Sequence, residues 1–479
     1  MNRVVINEVD TTLSNTTNNS TDIVYIPGFS LNGDLPVGSP VKITNVSEFN
    51  LYVGSEAPVF QTTQYYPVAE AEGTGTYGFW EDAIPDAGGS ELGTVMFAAG
   101  TVDPSYVYAK ELVTSGLSIY YERLNTTNNP PDEGDANYDE TYGVSVRDFY
   151  RALLKKVYTT DVADGVPVSS LLDMNLQVKY LTTGGYPSLE YGSEGNNYQL
   201  LSSAMLLVAK ERGDCIALID HTDNNERKLV GSTSVFSRVN KLPFATNDNI
   251  DTFGAIYTPS MIFSTTQSYN SSSYSGEIIV NNILPGSFAY LSCLAKSLKT
   301  NPNWLSISGV SRGLVSNATG MHSNYKLTNS IAEAYQPDQT ASDGNTVCLN
   351  AITQIGNYGY CIWGNRTLQK QSVSRVGYAT RFVNLRNILS DVKKQARDAA
   401  IALMFEPNTD VLWANFKAKL TPLLDSMVSG SGISGYKIIK DSGNSSKTKL
   451  AATIKLYPIY SVEAFEINIS LNDEEVTVS

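Results

Sequence analysis

The chain has 479 residues, 42% hydrophobic and 17% charged, a balance that folds into two or three domains rather than staying disordered. Its 48 acidic residues outnumber its 34 basic ones, giving a net charge of −14 that excludes sequence-independent nucleic-acid binding over a broad basic face. Four cysteines without a CxxC pair, and two histidines, leave a zinc site little to be built from.

Cys215, Cys293, Cys348 and Cys361 each lie in an apolar run and read as buried free thiols. The opening MNRVVINEVDTT lacks the apolar stretch of a signal peptide. No run of about 18 apolar residues exists to span a membrane. The expectation is an intracellular product with reduced thiols and no membrane insertion.

Taken in chain order, VVINEVD is an extended apolar segment, with Val4, Val5, Ile6 and Val9 as its gripping side chains. A polar tether follows at 14–22. A strand resumes at 23–26 and stops at Pro27-Gly28. An isolated strand cannot satisfy its own backbone groups, so the opening arm must pair with a sheet of its own or a neighbouring subunit. Residues 37–54 read as a short strand and a helical turn, and 55–95 as loops. A helix is predicted at 104–113, then a strand over GLSIYYERL. The stretch at 125–143 reads as a surface insertion.

The middle alternates helix and strand. VSVRDFYRALLKKVY and NYQLLSSAMLLVAKERGD are helical, and LQVKYLTTGG is a strand. CIALID is apolar on both faces, as in a strand covered by helices. SGEIIVNNIL gives a strand, followed by a helix with Pro285 near its start. The fold class is α/β, mixed α+β.

Residues 382–405 carry the best helical pattern, with Leu385, Ile388, Leu389, Val392, Ala396, Ala399 and Leu403 at helical spacing. Arg386, Lys393 and Arg397 fall on a separate face with Lys394 beside them, which reads either as a solvated face or as an interface for an acidic partner. Pro407 ends this helix, and VLWANFKAKLTPLLDSMV forms another. Near the C-terminus Phe465, Ile467, Ile469 and Leu471 alternate with Glu466, Asn468 and Ser470, a half-buried antiparallel strand. An acidic tail follows, with a β-prone tip at Val476 and Val478.

Chemistry-bearing motifs are weak. GSGISG at 430–435 follows a helix, whereas a dinucleotide loop follows a strand, so it reads as a helix-ending turn. GNRTL lacks the GK[ST] ending of a phosphate loop. His221, just after CIALI and near Asp220 and Asp223, is the best enzymatic candidate, but no nucleophile or second histidine is tied to it by spacing. No cofactor, metal or catalytic residue is expected.

Three stretches nonetheless point to a family. They are VVINEVD…DIVYIPGFSLNG…GSPVKITNVSEFNLYVG, then LPGSFAYLSCLAKSL…YGYCIWGNRTL, and FVNLRNILSDVKKQARDAAIALMFEPNTDVLWANFKAKLTPLLDSMVSGSGISGYKI. Together they resemble contractile-tail sheath proteins of phages and injection machines over about 200 residues at the two ends. The motif residues are Trp363, Gly364 and Arg366, with Thr367 and Leu368, and then Phe405, Glu406, Pro407, Asn408 and Trp413.

The resemblance implies a non-enzymatic subunit of stacked six-fold rings, a homo-oligomer around an inner tail tube protein. Baseplate and tail terminator or neck proteins are further implied partners. It implies a virion tail assembled in the host cytoplasm, or an injection particle of the tailocin kind. Exchange arms at 1–22 and 472–479 flank a conserved domain made of 23–54 and 346–471, with an inserted α/β middle at 55–345. Arg386, Lys393, Lys394 and Arg397 then face the tube.

Overall fold

The structure is a computed structural model. It describes residues 22–28, 34–36, 38–55, 59–60, 67–69, 92–94, 101–102, 104–124, 154, 157–163, 166–167, 169–186, 200–220, 250–270, 275–321, 349–369, 379–443 and 445–462. The chain divides into two compact units, Met1–Met404 and Phe405–Ser479.

The first unit opens with β1 (Val24–Gly28), β2 (Val41–Ile43), α1 (Val46–Tyr52), α2 (Pro104–Ser115) and β3 (Ile119–Arg123). Then come β4 (Tyr180–Leu181), α3 (Leu200–Arg212), β5 (Ile216–Ile219) and β6 (Gly254–Thr258). A hairpin of β7 (Met261–Asn270) and β8 (Ser275–Leu284) leads into α4 (Gly286–Leu298) and β9 (Ala318–Met321). The unit closes with β10 (Asn350–Ile355), β11 (Gly359–Trp363) and α5 (Val383–Ile401).

Among the described residues eight of these strands form one sheet, ordered β11-β10-β6-β5-β4-β1-β3-β2. The six inner strands run parallel, and each edge strand is antiparallel to its neighbour. β8, β7 and β9 make a separate antiparallel sheet.

The doubly apolar strands of the sequence are explained by this layering. Val24 and Ile26 face one core with Ile216 and Leu218, together with Leu112 of α2 and Phe288 and Leu291 of α4. Tyr25 faces the other with Ala217, Ile219 and the α3 residues Leu201, Met205 and Ala209. Parallel strands joined by crossover helices are covered on both faces, so alternation disappears from their sequence. Layer contact is close: a Cβ at Gly286 would lie 2.1 Å from the Tyr257 carbonyl oxygen, so only glycine lets α4 start there.

The expected separation of a middle domain at 55–345 is corrected by this sheet. β3, β4, β5 and β6 come from that stretch and share hydrogen bonds with β1 and β10 from the two flanks. These four strands lie between β1 and β2 or β10 in the sheet order, so this part of the middle is woven into the same body, while β7, β8 and β9 form a sheet of their own.

The second unit contains α6 (Asp410–Ser429) and a two-stranded ribbon, β12 (Ile433–Lys440) with β13 (Ala452–Pro458). Thr409 caps α6, its hydroxyl accepting from the Leu412 N–H. Phe416, Leu420, Leu424 and Met427 form the buried stripe of the helix, with Ile433 beside them in the core. The GSGISG turn ends α6: the Gly430 and Gly432 N–H groups donate back to Ser426 and Met427.

Candidate functional site

Asp22 precedes β1 and Asp391 lies in α5, and a buried polar cluster joins the two places. The Lys179 ammonium lies 2.8 Å from Asp22 Oδ1 and donates to Asp391 Oδ2 at 2.9 Å. Asn303 Nδ2 donates to both carboxylates, at 2.9 and 3.0 Å. The Lys179 and Asp22 side chains are 0% and 2% exposed. Burial alone would lower the Lys179 pKa, but the Asp22 and Asp391 carboxylates outweigh it and raise it above the ordinary lysine value. Burial raises the Asp391 carboxyl, against the opposing pull of Lys179. The ion pair is therefore the state the geometry favours, held inside the protein rather than displayed.

α5 lies across the beginnings of the parallel strands. Asn387 donates to the Tyr180 hydroxyl at 2.9 Å, and Lys394 to the Val178 carbonyl at 2.7 Å, both at the start of β4. Lys393 donates to Gly213 O at 2.9 Å, and Arg397 contacts Asp214 at 3.4 Å, just before β5. The Arg386 guanidinium sits 3.4 Å above the Phe253 ring, just before β6.

Of the four cations that the sequence set either in a solvated face or toward an acidic tube, two are not on the surface of the folded chain. Arg386 and Lys394 are buried, and desolvation lowers their pKa values to about 10 and about 8. Lys393 stays exposed and Arg397 half-buried, whereas Arg386 and Lys394 are covered by the strand beginnings they meet. Buried cations are expensive unless hydrogen-bonded, and Lys394 spends its charge on the Val178 carbonyl.

The WGNRTL segment is a joint between sheet and helix. Asn350 of β10 receives the Arg366 N–H at 2.7 Å and donates to the Arg366 and Ile256 carbonyls. The Leu368 N–H donates to Gly254 O at 2.9 Å. On the other side, Thr367 N–H donates to Arg381 O, and Val383 N–H to Asn365 O. The Arg366 guanidinium stacks on Phe382 at 4.4 Å. These bonds fix the first turn of α5 against the sheet.

Phe405 opens the second unit with φ 68° and a fully exposed side chain. Asn408 donates to the Ser446 and Lys447 carbonyls, tying the ribbon's loop to the foot of α6. Trp413 stacks on Phe416 with ring centroids 6.0 Å apart.

The arm residues Val4, Val5, Ile6, Val9, Phe465, Ile467, Ile469, Leu471, Val476 and Val478 lie outside the described residues, as do His221 and Cys348. Asp220, beside His221, binds the Ser287 N–H and hydroxyl and so caps α4. Burial pushes the Cys215 and Cys293 thiols up to about 11 and about 12, away from nucleophilic use. Among the described residues no cluster of metal ligands occurs, and no helix is long and apolar enough to cross a membrane. Sequence reading missed Asp22, Lys179, Asn303, Asn350 and Asp391. The one signal was a lysine set between Val178 and Tyr180 in an apolar strand.

Comparison with known proteins places this architecture. No model of a known protein family matches the sequence. A tail sheath protein of Vibrio phage KVP40 is 21% identical over 170 residues, 34% of this chain and 23% of that relative. A chain in the cryo-EM structure of the anti-feeding prophage baseplate, 6-fold symmetrised, superposes with a TM-score of 0.55 at 12% identity, covering 99% of both chains. One from the anti-feeding prophage helical sheath in the contracted state gives 0.50 at 13% identity, covering 98% and 99%. The fold is that of contractile sheath proteins, mixed helices and sheets matched along almost the whole chain.

Proposed function

We propose that the chain is the structural, non-catalytic subunit of a contractile sheath, polymerising around an inner tube and shortening to drive that tube into a target envelope. The observation that carries this is the end-to-end likeness to a chain of a contracted helical sheath. The extended apolar segment at 4–9 and the alternating one at 464–471 support exchange arms that complete a neighbour's sheet. A head-to-tail contact that does not close propagates as a helix.

The interior fits a part that moves as one rigid body. The tether at 14–22 runs into Asp22, and α5 runs out toward the second unit; both are held by Lys179. Pull on either segment is thereby delivered to the centre of the parallel sheet. Hexameric rings, a baseplate contact, a tube partner and a terminator at the neck belong to this reading, in a phage tail or an injection particle. We assign the tube contact to no buried residue of α5.

Negative-stain electron microscopy of the purified full-length chain tests the proposal. Hollow, ridged tubes of uniform width are expected, and deletion of residues 1–12 abolishes them. Single particles under every condition, or long tubes from the deletion variant, would overturn it.

A further inference from the structure

The C-terminal ribbon has two unlike faces. Tyr436 and Lys440 of β12 point toward α6, where the Tyr436 hydroxyl donates to Asp425 at 2.7 Å and Lys440 pairs with Asp410 at 3.4 Å. Lys437 and Ile439 point the opposite way, because side chains alternate along a strand. Register sets Lys437 directly across from Lys455, Ile439 across from Thr453, and Gly435 across from Tyr457.

Both lysines are exposed, and among the described residues neither has an ion-pair or hydrogen-bond partner. Ile439 and Tyr457 on the same face are 41% and 43% exposed. Like charges directly opposite one another weaken a strand pair. A two-stranded ribbon is marginal in water to begin with. Among the described residues nothing offsets that repulsion, and the two ammonium groups stand open to an acidic surface.

The charge balance says what would meet it. Residues 405–462 hold seven lysines against four carboxylates, an excess of three positive charges. The chain as a whole is at −14, so the remaining residues carry an excess of seventeen negative charges. Outside the ribbon and α6, any other copy of this protein carries a net charge of the complementary sign.

We propose that the Lys437/Lys455 face is an interface that binds an acidic surface of a second copy of this chain, with Ile439 and Tyr457 supplying the apolar contact. The inference rests on the sheath reading and gives that polymer a salt-sensitive bond. Partner carboxylates relieve the repulsion between the two lysines, so the ribbon and the contact stabilise each other.

The test mixes full-length chains of natural and heavy-nitrogen label under assembly conditions and joins touching ammonium and carboxylate groups with a carbodiimide. Mixed-label peptides linking Lys437 or Lys455 to carboxylates are expected. The double variant Lys437→Gln/Lys455→Gln separates this role from a merely structural one. It removes the internal repulsion, so ribbon amides of the unassembled chain exchange more slowly, while assembly needs about tenfold more protein. A purely structural pair would move both readouts the same way. Links of a single label only, or unchanged assembly by the Gln variant while the wild type forms tubes, would overturn the interface. Failure of the wild type to assemble counts instead against the sheath reading.

Discussion

The two units handle charge in opposite ways. The first hides it: Lys179, Asp22 and Asp391 form an ion triad beneath the surface, and Lys394 and Arg386 are buried beside it. The second displays it: its ion pair Lys440–Asp410 is exposed, and Lys437 and Lys455 stand unpaired among the described residues. The first also has a sheet covered on both faces, whereas the second has a helix on two strands with a single buried stripe. A body that buries its charges is committed to one internal arrangement, because a displaced partner leaves a bare ion in the interior. A thin unit with exposed charge can remake its contacts, as the proposed sheath would require of its connecting parts.

The contrast is broken most sharply at Lys179. Lys179→Met leaves two buried carboxylates facing each other and should cost about 4 kcal/mol of stability, read from the urea midpoint. Lys440→Met in the second unit should leave the midpoint unchanged. Equal effects would mean that the triad does not hold the core.

Lys394 sharpens the same point through pH. Its folded pKa of about 8 lies below the ordinary 10.5, because burial disfavours the ammonium and Asp214 only partly compensates. Between those values the unfolded chain keeps a proton that the folded chain has lost, so stability rises with pH across that window. Relative to Lys394→Met, the wild type should gain about 3 kcal/mol between pH 8 and 10.5. Both proteins carry Cys215→Ser, because the Cys215 thiol, pushed up to about 11 by burial, interacts with Lys394 and would not cancel in the difference. A pH-independent difference refutes the buried charge.

In the second unit, Leu424→Ala removes a fully buried side chain from a core of few residues. The expected loss is about 2 kcal/mol, at the low end for such a change because a thin core collapses into the space. Hydrogen exchange should accelerate in α6, β12 and β13 while β1, β4 and β5 keep their protection. Faster exchange in the parallel sheet would show that the two units unfold together.

Most of the elements were legible because their patterns are local. Val383–Ile401 shows its periodicity, CIALID its two apolar faces, and GSGISG its place behind a helix. What was illegible depends on contacts distant in sequence. Arg386 and Lys394 look like a solvated face until α5 is laid over the starts of β4, β5 and β6. Asp22, Lys179 and Asp391 are 157 and 212 residues apart, and no spacing rule links them; only the parallel sheet brings them together. The same holds for Asn350, whose amide supplies the hydrogen bonds of a missing strand residue at Arg366.

The smallest effect concerns Phe405. A left-handed backbone is costly for any residue with a Cβ, and glycine adopts it freely while losing more freedom on folding. The two terms nearly offset, so Phe405→Gly should raise the melting temperature of the unassembled chain by about 2 °C. Its ring touches nothing in the folded chain that glycine would forfeit. In the polymer the sign reverses if a neighbour covers that ring: the variant would melt later as a single chain and assemble less readily. A variant that gains in the first measurement and loses nothing in the second would reduce Phe405 to a strained turn and leave the display of apolar surface at the start of the second unit without a partner.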